Sequence, residues 1–305
     1  TIASGFNSTA LGRNGTASGF DATAIGSNAI ASGANSSALG RYSNASGNSS
    51  IAAGDSSIAS GLGSTALGSF TKANNLSTSL GSSANAGGEF STALGSAANS
   101  SGRYSIAIGR SARSIGNLSI ALGADAKANS TWSIAIGDES LANNSYTAAV
   151  GIRANAKNSY DSAFGAQANA TGGHSTSVGG FTNSIGGYSS AFGYVATAEG
   201  NYSIAIGYNT SGLGTWSSAV GASSNAIGDS SSAFGYLSVA TGQESAAFGS
   251  KANAYGRSSL SLGDRSKSSE SWSTAVGYSA NSSGTQAIAL GSYSKSSGNN
   301  SAALG

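Results

Sequence analysis

The 305-residue chain contains 46 Gly, no Pro, no Cys and no Met, and 9% of its residues are charged, for a net charge of +2. That balance supplies no field for steering nucleic acid. The missing cysteines exclude disulfide frameworks and thiolate metal sites, and no apolar run approaches the roughly 18 residues of a membrane-spanning helix. The length would suit two globules and the Gly and Ser content a disordered chain, but 39% of residues are hydrophobic and are placed periodically, which disordered chains lack.

The pattern begins at STALG (8–12) and never stops. A Gly closes an Ala-apolar-Gly triplet at Gly12, Gly26, Gly40 and onward to Gly305; 20 of the 21 intervals are fourteen residues and one, Gly68 to Gly81, is thirteen. A fixed period of this kind marks a solenoid. With this Gly as position 0, position −2 is Ala in 19 repeats and Ser in three, position −4 is almost always Ser, and position −1 is large and apolar everywhere except Ala53. Alternation at period two predicts strands rather than helices, with successive side chains on opposite faces. Fourteen residues make a coil too narrow for Leu or Phe inside, so the Ala/Ser column is expected to point inward and the bulky −1 and −3 columns outward.

A second Gly column lies midway, at Gly5, Gly19, Gly33 and most later repeats, with Asn at Asn75, Asn144 and Asn158 and departures at Ser130 and Glu270. It is expected to form a second corner of positive φ, where Gly and Asn are cheapest. The thirteen-residue repeat, 69–81, is expected to lose its residue beside that corner. The fold class predicted is an all-β parallel solenoid of about 22 fourteen-residue rungs, at about 4.8 Å per rung roughly 105 Å long, and residues 1–305 read as one array. Because the sequence starts and stops inside the pattern, it reads as a piece of a longer protein.

The outward apolar column would expose on the order of 1,000 Å², above the few hundred typical of soluble monomers, so other copies are expected to cover it. The interface residues expected are Ile106, Ile108, Ile134, Ile136, Phe164, Phe192, Ile204, Ile206, Phe234 and Phe248. Volume is partly compensated along that face: where −1 is Phe (Phe164, Phe192, Phe234, Phe248), −3 is Ser162, Ser190, Ser232 or Ala246, as close packing requires.

YSIAIG (104–109 and 202–207), WSIAIG (132–137), NSTALG (7–12) and NSSALG (35–40) resemble the NSVAIG repeat of YadA-type heads of trimeric autotransporter adhesins from Gram-negative bacteria. The resemblance covers essentially the whole chain. It implies a left-handed parallel β-roll, a homotrimer with the −3 and −1 positions on its axis, and a head held at the bacterial cell surface by a stalk and an outer-membrane anchor that lie outside this sequence. It also implies adhesion to host extracellular-matrix protein such as collagen or fibronectin, or to a host-cell receptor. The Asn that opens the family motif survives at Asn7, Asn35 and Asn300, and most other repeats depart from it.

The departing position, −5, reads Phe90, Tyr104, Leu118, Trp132, Tyr146, Tyr160, His174, Tyr188, Tyr202 and Trp216, with Trp272 further on. Such a column serves either as a binding strip, with Trp132 and Trp216 its largest members, or as stacked rings that stabilise the solenoid or the interface rim. The second is favoured, because strand alternation would put −5 on the −1 face. Tyr194, Tyr208, Tyr236 and Tyr278 directly follow the repeat Gly and serve either as exposed contacts at a corner or as packing of that corner. Arg103, Arg110 and Arg113 are a candidate basic patch or a solvated face.

Enzymatic chemistry finds no support: His174 is the one histidine, the serines have no paired base, and the acidic residues form no GGxGxD calcium repeat. No cofactor is expected. The functional classes left are an adhesin head with multivalent shallow sites and a passive spacer that projects another adhesive domain. An ice-binding array is disfavoured, because Thr at −3 (Thr9, Thr23, Thr65, Thr78, Thr92, Thr176, Thr274) is too irregular.

Overall fold

The computed structural model describes residues 1–305. Every element is a strand of two or three residues, 44 in all, and none is a helix. The chain is an all-β parallel β-solenoid of 22 turns. It divides into two compact units, Thr1–Arg153 and Ala154–Gly305, with eleven turns each.

In each unit a three-residue strand covers positions −3 to −1 and a two-residue strand covers +4 and +5. The strands of the first unit run from Ile2–Ala3, Thr9–Leu11 and Thr16–Ala17 through to Ala148–Val150. The strands stack in parallel, one period apart: Thr9 pairs with Thr23 and Thr23 with Ser37. The second unit repeats this, with Ser162 paired to Thr176 and Thr176 to Ser190. Two parallel sheets thus face each other in each unit.

The core between them is built almost wholly from small residues. Positions −4 and −2 point inward as the alternation requires, and so do +3 and +5, which carry Gly, Ala, Ser or Thr in every turn. Ala24, Ala29 and Ala31 are fully buried in one cluster of the first unit, as are Ala191, Ala196 and Ala198 in the second. The largest fully buried side chains are Thr and one Asp. Serine at −4 is the right residue for so narrow an interior, because its hydroxyl can donate to the carbonyl three residues back: Ser50 to Gly47 at 2.6 Å, Ser105 to Gly102 at 2.6 Å. In the second unit the −4 serines from Ser189 to Ser259 leave the hydroxyl unpartnered in six successive turns. There the coil rests on its backbone ladder and on packing.

The corners differ from the sequence expectation. The midway Gly column does not adopt positive φ; left-handed residues occur at +2 and −5 instead, with φ between 50° and 63° for whatever side chain stands there. Tyr104, Phe90, Trp216 and Arg265 all do so. A left-handed L-residue costs roughly 1–2 kcal/mol, and the stack supplies compensation. From the second turn on, these N–H groups donate to the turn before, as Tyr104 does to the Glu89 carbonyl (2.9 Å) and Asn28 to that of Arg13 (2.8 Å). The midway glycines are needed for close approach. A Cβ on Gly228 would stand 2.2 Å from the Gly242 oxygen. The position-0 glycines carry both demands: Gly235 has φ +138°, and its Cβ would stand 2.4 Å from the Gly249 oxygen.

The short repeat keeps both sheets in register. Lys72–Ala73 and Thr78–Leu80 pair with the turns on either side, so the deletion falls between Ala73 and Ser77. Asn74 and Asn75 fill the gap with side-chain bonds, Asn74 donating to the Gly87 carbonyl (2.8 Å) and Asn75 accepting from the Leu62 N–H (3.1 Å).

Candidate functional site

No cavity is present, so any site must lie on the outer faces of the coil. The −3 and −1 columns form an apolar face in each unit. In the first, Ile106, Ile120 and Ile134 stand in register, as do Ile108, Leu122 and Ile136. In the second, Val178 lies between Phe164 and Phe192, Ile204 and Ile206 follow, and the Phe234 and Phe248 rings stack at 5.3 Å. Within a single chain these side chains remain wet: Phe164 is 41% exposed and Ile206 is also 41% exposed, while Ile106, Ile134 and Phe248 are half-buried.

The −5 column is a stack of rings. Phe90 and Tyr104 lie 4.8 Å apart and 4° from parallel. In the second unit Tyr160, His174, Tyr188, Tyr202 and Trp216 stack successively at 4.7, 4.7, 5.0 and 4.0 Å. His174 is therefore a member of the stack. The column does not belong to the strand face that alternation assigned it to, because a left-handed residue interrupts the alternation before the strand begins. It projects from a corner, and its members are exposed, Trp132 and Trp216 included. Stacking occupies the ring faces and leaves mainly edges to solvent.

The corner tyrosines are also exposed, but they do not form one group. Tyr194 and Tyr208 stack at 6.0 Å, with Phe181 edge-on to Tyr194 at 5.6 Å. Tyr278 stands edge-on to Tyr293 at 5.1 Å and accepts a 2.7 Å bond from Arg265. The Tyr293 phenol is pushed up from its ordinary value, first by its hydrogen bond to Tyr278, which favours the protonated form, and then by the Tyr278 charge.

Arg103, Arg110 and Arg113 are not brought together. They sit at −6, +1 and +4 of the coil; Arg103 pairs with Glu89 (3.0 Å) and lies over Tyr104, Arg110 pairs with Asp125 (2.6 Å), and Arg113 stands exposed on the second sheet. Two more ion pairs, Arg41–Asp55 and Arg153–Glu139, also join successive turns of the first unit. Opposite charges fourteen residues apart are the sequence signature of three of these pairs, and Arg110–Asp125 spans fifteen. Arg153 donates a hydrogen bond to Glu139 and adds its charge, holding that carboxyl below the ordinary range. Replacing Arg153 with Ala is expected to move the Glu139 midpoint back upward, read by carboxyl NMR titration; an unmoved midpoint would deny the pair any strength in solution.

One further ionisable group escaped sequence reasoning. Asp161 replaces Ser at −4, is fully buried, and accepts from the Asn158 N–H (2.8 Å), the Ser175 N–H (2.9 Å) and the Ser175 hydroxyl (2.8 Å). Three donors satisfy it as a structural carboxylate. The His, Asp and Glu residues form no cluster of three able to hold a metal ion.

Repeated two-strand turns with Ala/Ser cores and Gly corners define the unit to compare with known proteins. The YadA head domain repeat, a family unit of two copies, matches residues 3–19, 17–43, 45–71, 75–98, 86–112, 114–140, 156–182, 184–210, 214–238, 240–266, 273–294 and 282–305. The chain belongs to the YadA head family. Membership makes this YadA head an adhesin-type module of the bacterial cell surface, from a family whose role is adhesive and structural. Among solved structures, the head is similar to the collagen-binding domain of the Yersinia adhesin YadA, at 28% identity over 45% of this chain and 69% of that one, with a TM-score of 0.33. No curated protein matches the head in sequence.

Proposed function

We propose that residues 1–305 act as one adhesive head of a trimeric autotransporter at the outer membrane. Three copies pack along their −1/−3 faces, and the outward corners bind an extracellular-matrix protein, collagen or fibronectin being the leading classes, or a host-cell receptor. The observation that carries the assembly is the apolar face itself, repeated in register turn after turn and exposed in the single chain. Burying each such side chain is worth about 1.5–3 kcal/mol, and dozens of them in three chains favour association strongly. Adhesion rests on family membership. The absence of a cavity suits shallow, repeated contacts whose weak affinities combine across three chains. Trp132, Trp216, Tyr194, Tyr208, Tyr236 and Tyr278 are the exposed aromatic groups proposed to make such contacts.

Solid-phase binding of the purified trimer to collagens, fibronectin, laminin and cell-surface receptors tests this reading. We expect saturable binding to one partner, weakened at least about tenfold when Tyr194, Tyr208 and Tyr236 are changed to Ser. A folded trimer that binds nothing on the panel would make the head a passive spacer. Binding that survives the triple change would move the site off these corners.

A further inference from the structure

The last four turns of the second unit carry a concentrated positive charge. Residues 250–305 hold five Lys/Arg and two Asp/Glu, a net +3, whereas the whole chain is +2; the remainder is slightly acidic. In the first unit four arginines are tied to carboxylates of neighbouring turns. Here Lys251, Arg265, Lys267 and Lys295 are exposed and enter no ion pair.

Their placement is ordered. Lys267 and Lys295 begin the two-residue strands Lys267–Ser268 and Lys295–Ser296 and stand two turns apart in one column, with Asn253 before the first and Asn281 between them. At about 4.8 Å per turn the two ammonium groups are spaced roughly 10 Å along the column. No carboxylate occupies this column in any turn of the chain. Lys251 and Arg265 project from the adjoining +2 corner. Tyrosines line the same ground: Lys267 Nζ lies 5.6 Å from the Tyr255 ring centre, and Arg265 lies over Tyr278 while donating to its hydroxyl. Because the two sheets share one core, this face points away from the −1/−3 face and stays open when that face is covered.

We propose that this surface binds a linear sulfated polysaccharide. Fixed, unpaired cations along a straight column match a polymer that carries sulfate or carboxylate on successive sugars, and the Asn253 and Asn281 amides and Tyr hydroxyls can bond sugar hydroxyls between the charges. A single-stranded nucleic acid is the poorer match. It needs open aromatic faces for its bases, and here Tyr255 and Tyr278 are capped by cations while Tyr293 meets Tyr278 edge-on. The inference shares Tyr278 with the matrix-protein reading, but the tyrosines changed in that test, Tyr194, Tyr208 and Tyr236, lie in earlier turns, so the two tests fail separately.

The test is binding of the intact purified chain to a size-defined heparin oligosaccharide, followed by isothermal calorimetry or surface plasmon resonance. Native protein is expected to bind with an affinity that falls as salt rises. Changing Lys251, Arg265, Lys267 and Lys295 together to Gln is expected to weaken binding about tenfold or more, with the oligomeric mass unchanged. Changing Arg41, Arg103 and Arg153 to Gln, cations of the first unit that already face carboxylates, should leave heparin affinity within about twofold. The proposal is overturned if native protein does not bind, if the four-site variant binds as well as native, or if desulfated oligosaccharide or single-stranded DNA binds as tightly.

Discussion

Gly235→Ala unfolds the turns around it and lowers stability by about 3 kcal/mol or more, the largest loss expected from a one-carbon change in this molecule. Two independent costs coincide at that position. At φ +138° an L-residue lies in a region essentially reserved for Gly, a strain of order 1–3 kcal/mol. The new Cβ would also stand 2.4 Å from the carbonyl oxygen and 2.6 Å from the carbonyl carbon of Gly249. Both atoms are backbone held in the ladder, so the overlap is relieved only by separating turns, which breaks bonds such as Gly249 N–H to the Phe234 carbonyl. Overpacking of this kind costs about 1–3 kcal/mol even where side chains can yield. Gly228→Ser is the comparison. Its new Cβ would stand 2.2 Å from the Gly242 oxygen, but Gly228 carries no positive φ and its column natively holds Ser130 and Glu270, so the overlap acts without the backbone strain and the loss should be smaller. Chemical denaturation of the three proteins ranks them; Gly235→Ala as stable as the parent would mean that the position-0 corners are not the constraint described.

Changing Ile106, Ile134 and Ile206 to Asp is expected to dissociate the trimer proposed for this head. Ile106 and Ile134 belong to one in-register column of the first unit, and Ile206 belongs to the second. Three copies would bring nine carboxylates onto an apolar axis without partners, each losing the roughly 1.5–3 kcal/mol of the buried Ile and adding the cost of burying a charge. The coil interior is untouched, since these side chains point outward while Ala107, Ala135 and Ala205 fill the core. The expected product is a folded monomer, with β circular dichroism retained and mass reduced. A variant that remains oligomeric and stable would remove these residues from the interface.

Much of this organisation is legible in the sequence because it repeats. The alternation of Ser8, Ala10 and Leu11-type positions assigns the inside and outside of the three-residue strand, and the one short repeat announces where a residue is lost. Two features were not legible. The inward +3 and +5 columns, Ala29 and Ala31 among them, use the same small residues as exposed turns, so composition alone does not single them out. The left-handed corners at −5 and +2 carry Tyr, Trp, Arg, Ser or Leu, because the conformation is imposed by hydrogen bonds from the neighbouring turn and not by the residue's own preference. That is why the aromatic column at Tyr104 or Tyr202 reads as strand in the sequence and proves to be corner. The midway glycines mislead in the complementary way: they mark the close approach of two backbones rather than an unusual φ. The basic surface around Lys267 emerges only when residues fourteen and twenty-eight apart are set side by side.

The mass of the unmodified chain in dilute solution decides what covers the apolar face. Light scattering at low micromolar concentration is expected to give three times the 29.3 kDa of one chain, unchanged by moderate salt because the contact is apolar. A stable, soluble species of 29.3 kDa would contradict the account: the exposed Leu, Ile, Val and Phe columns would then have no partner among copies of this chain.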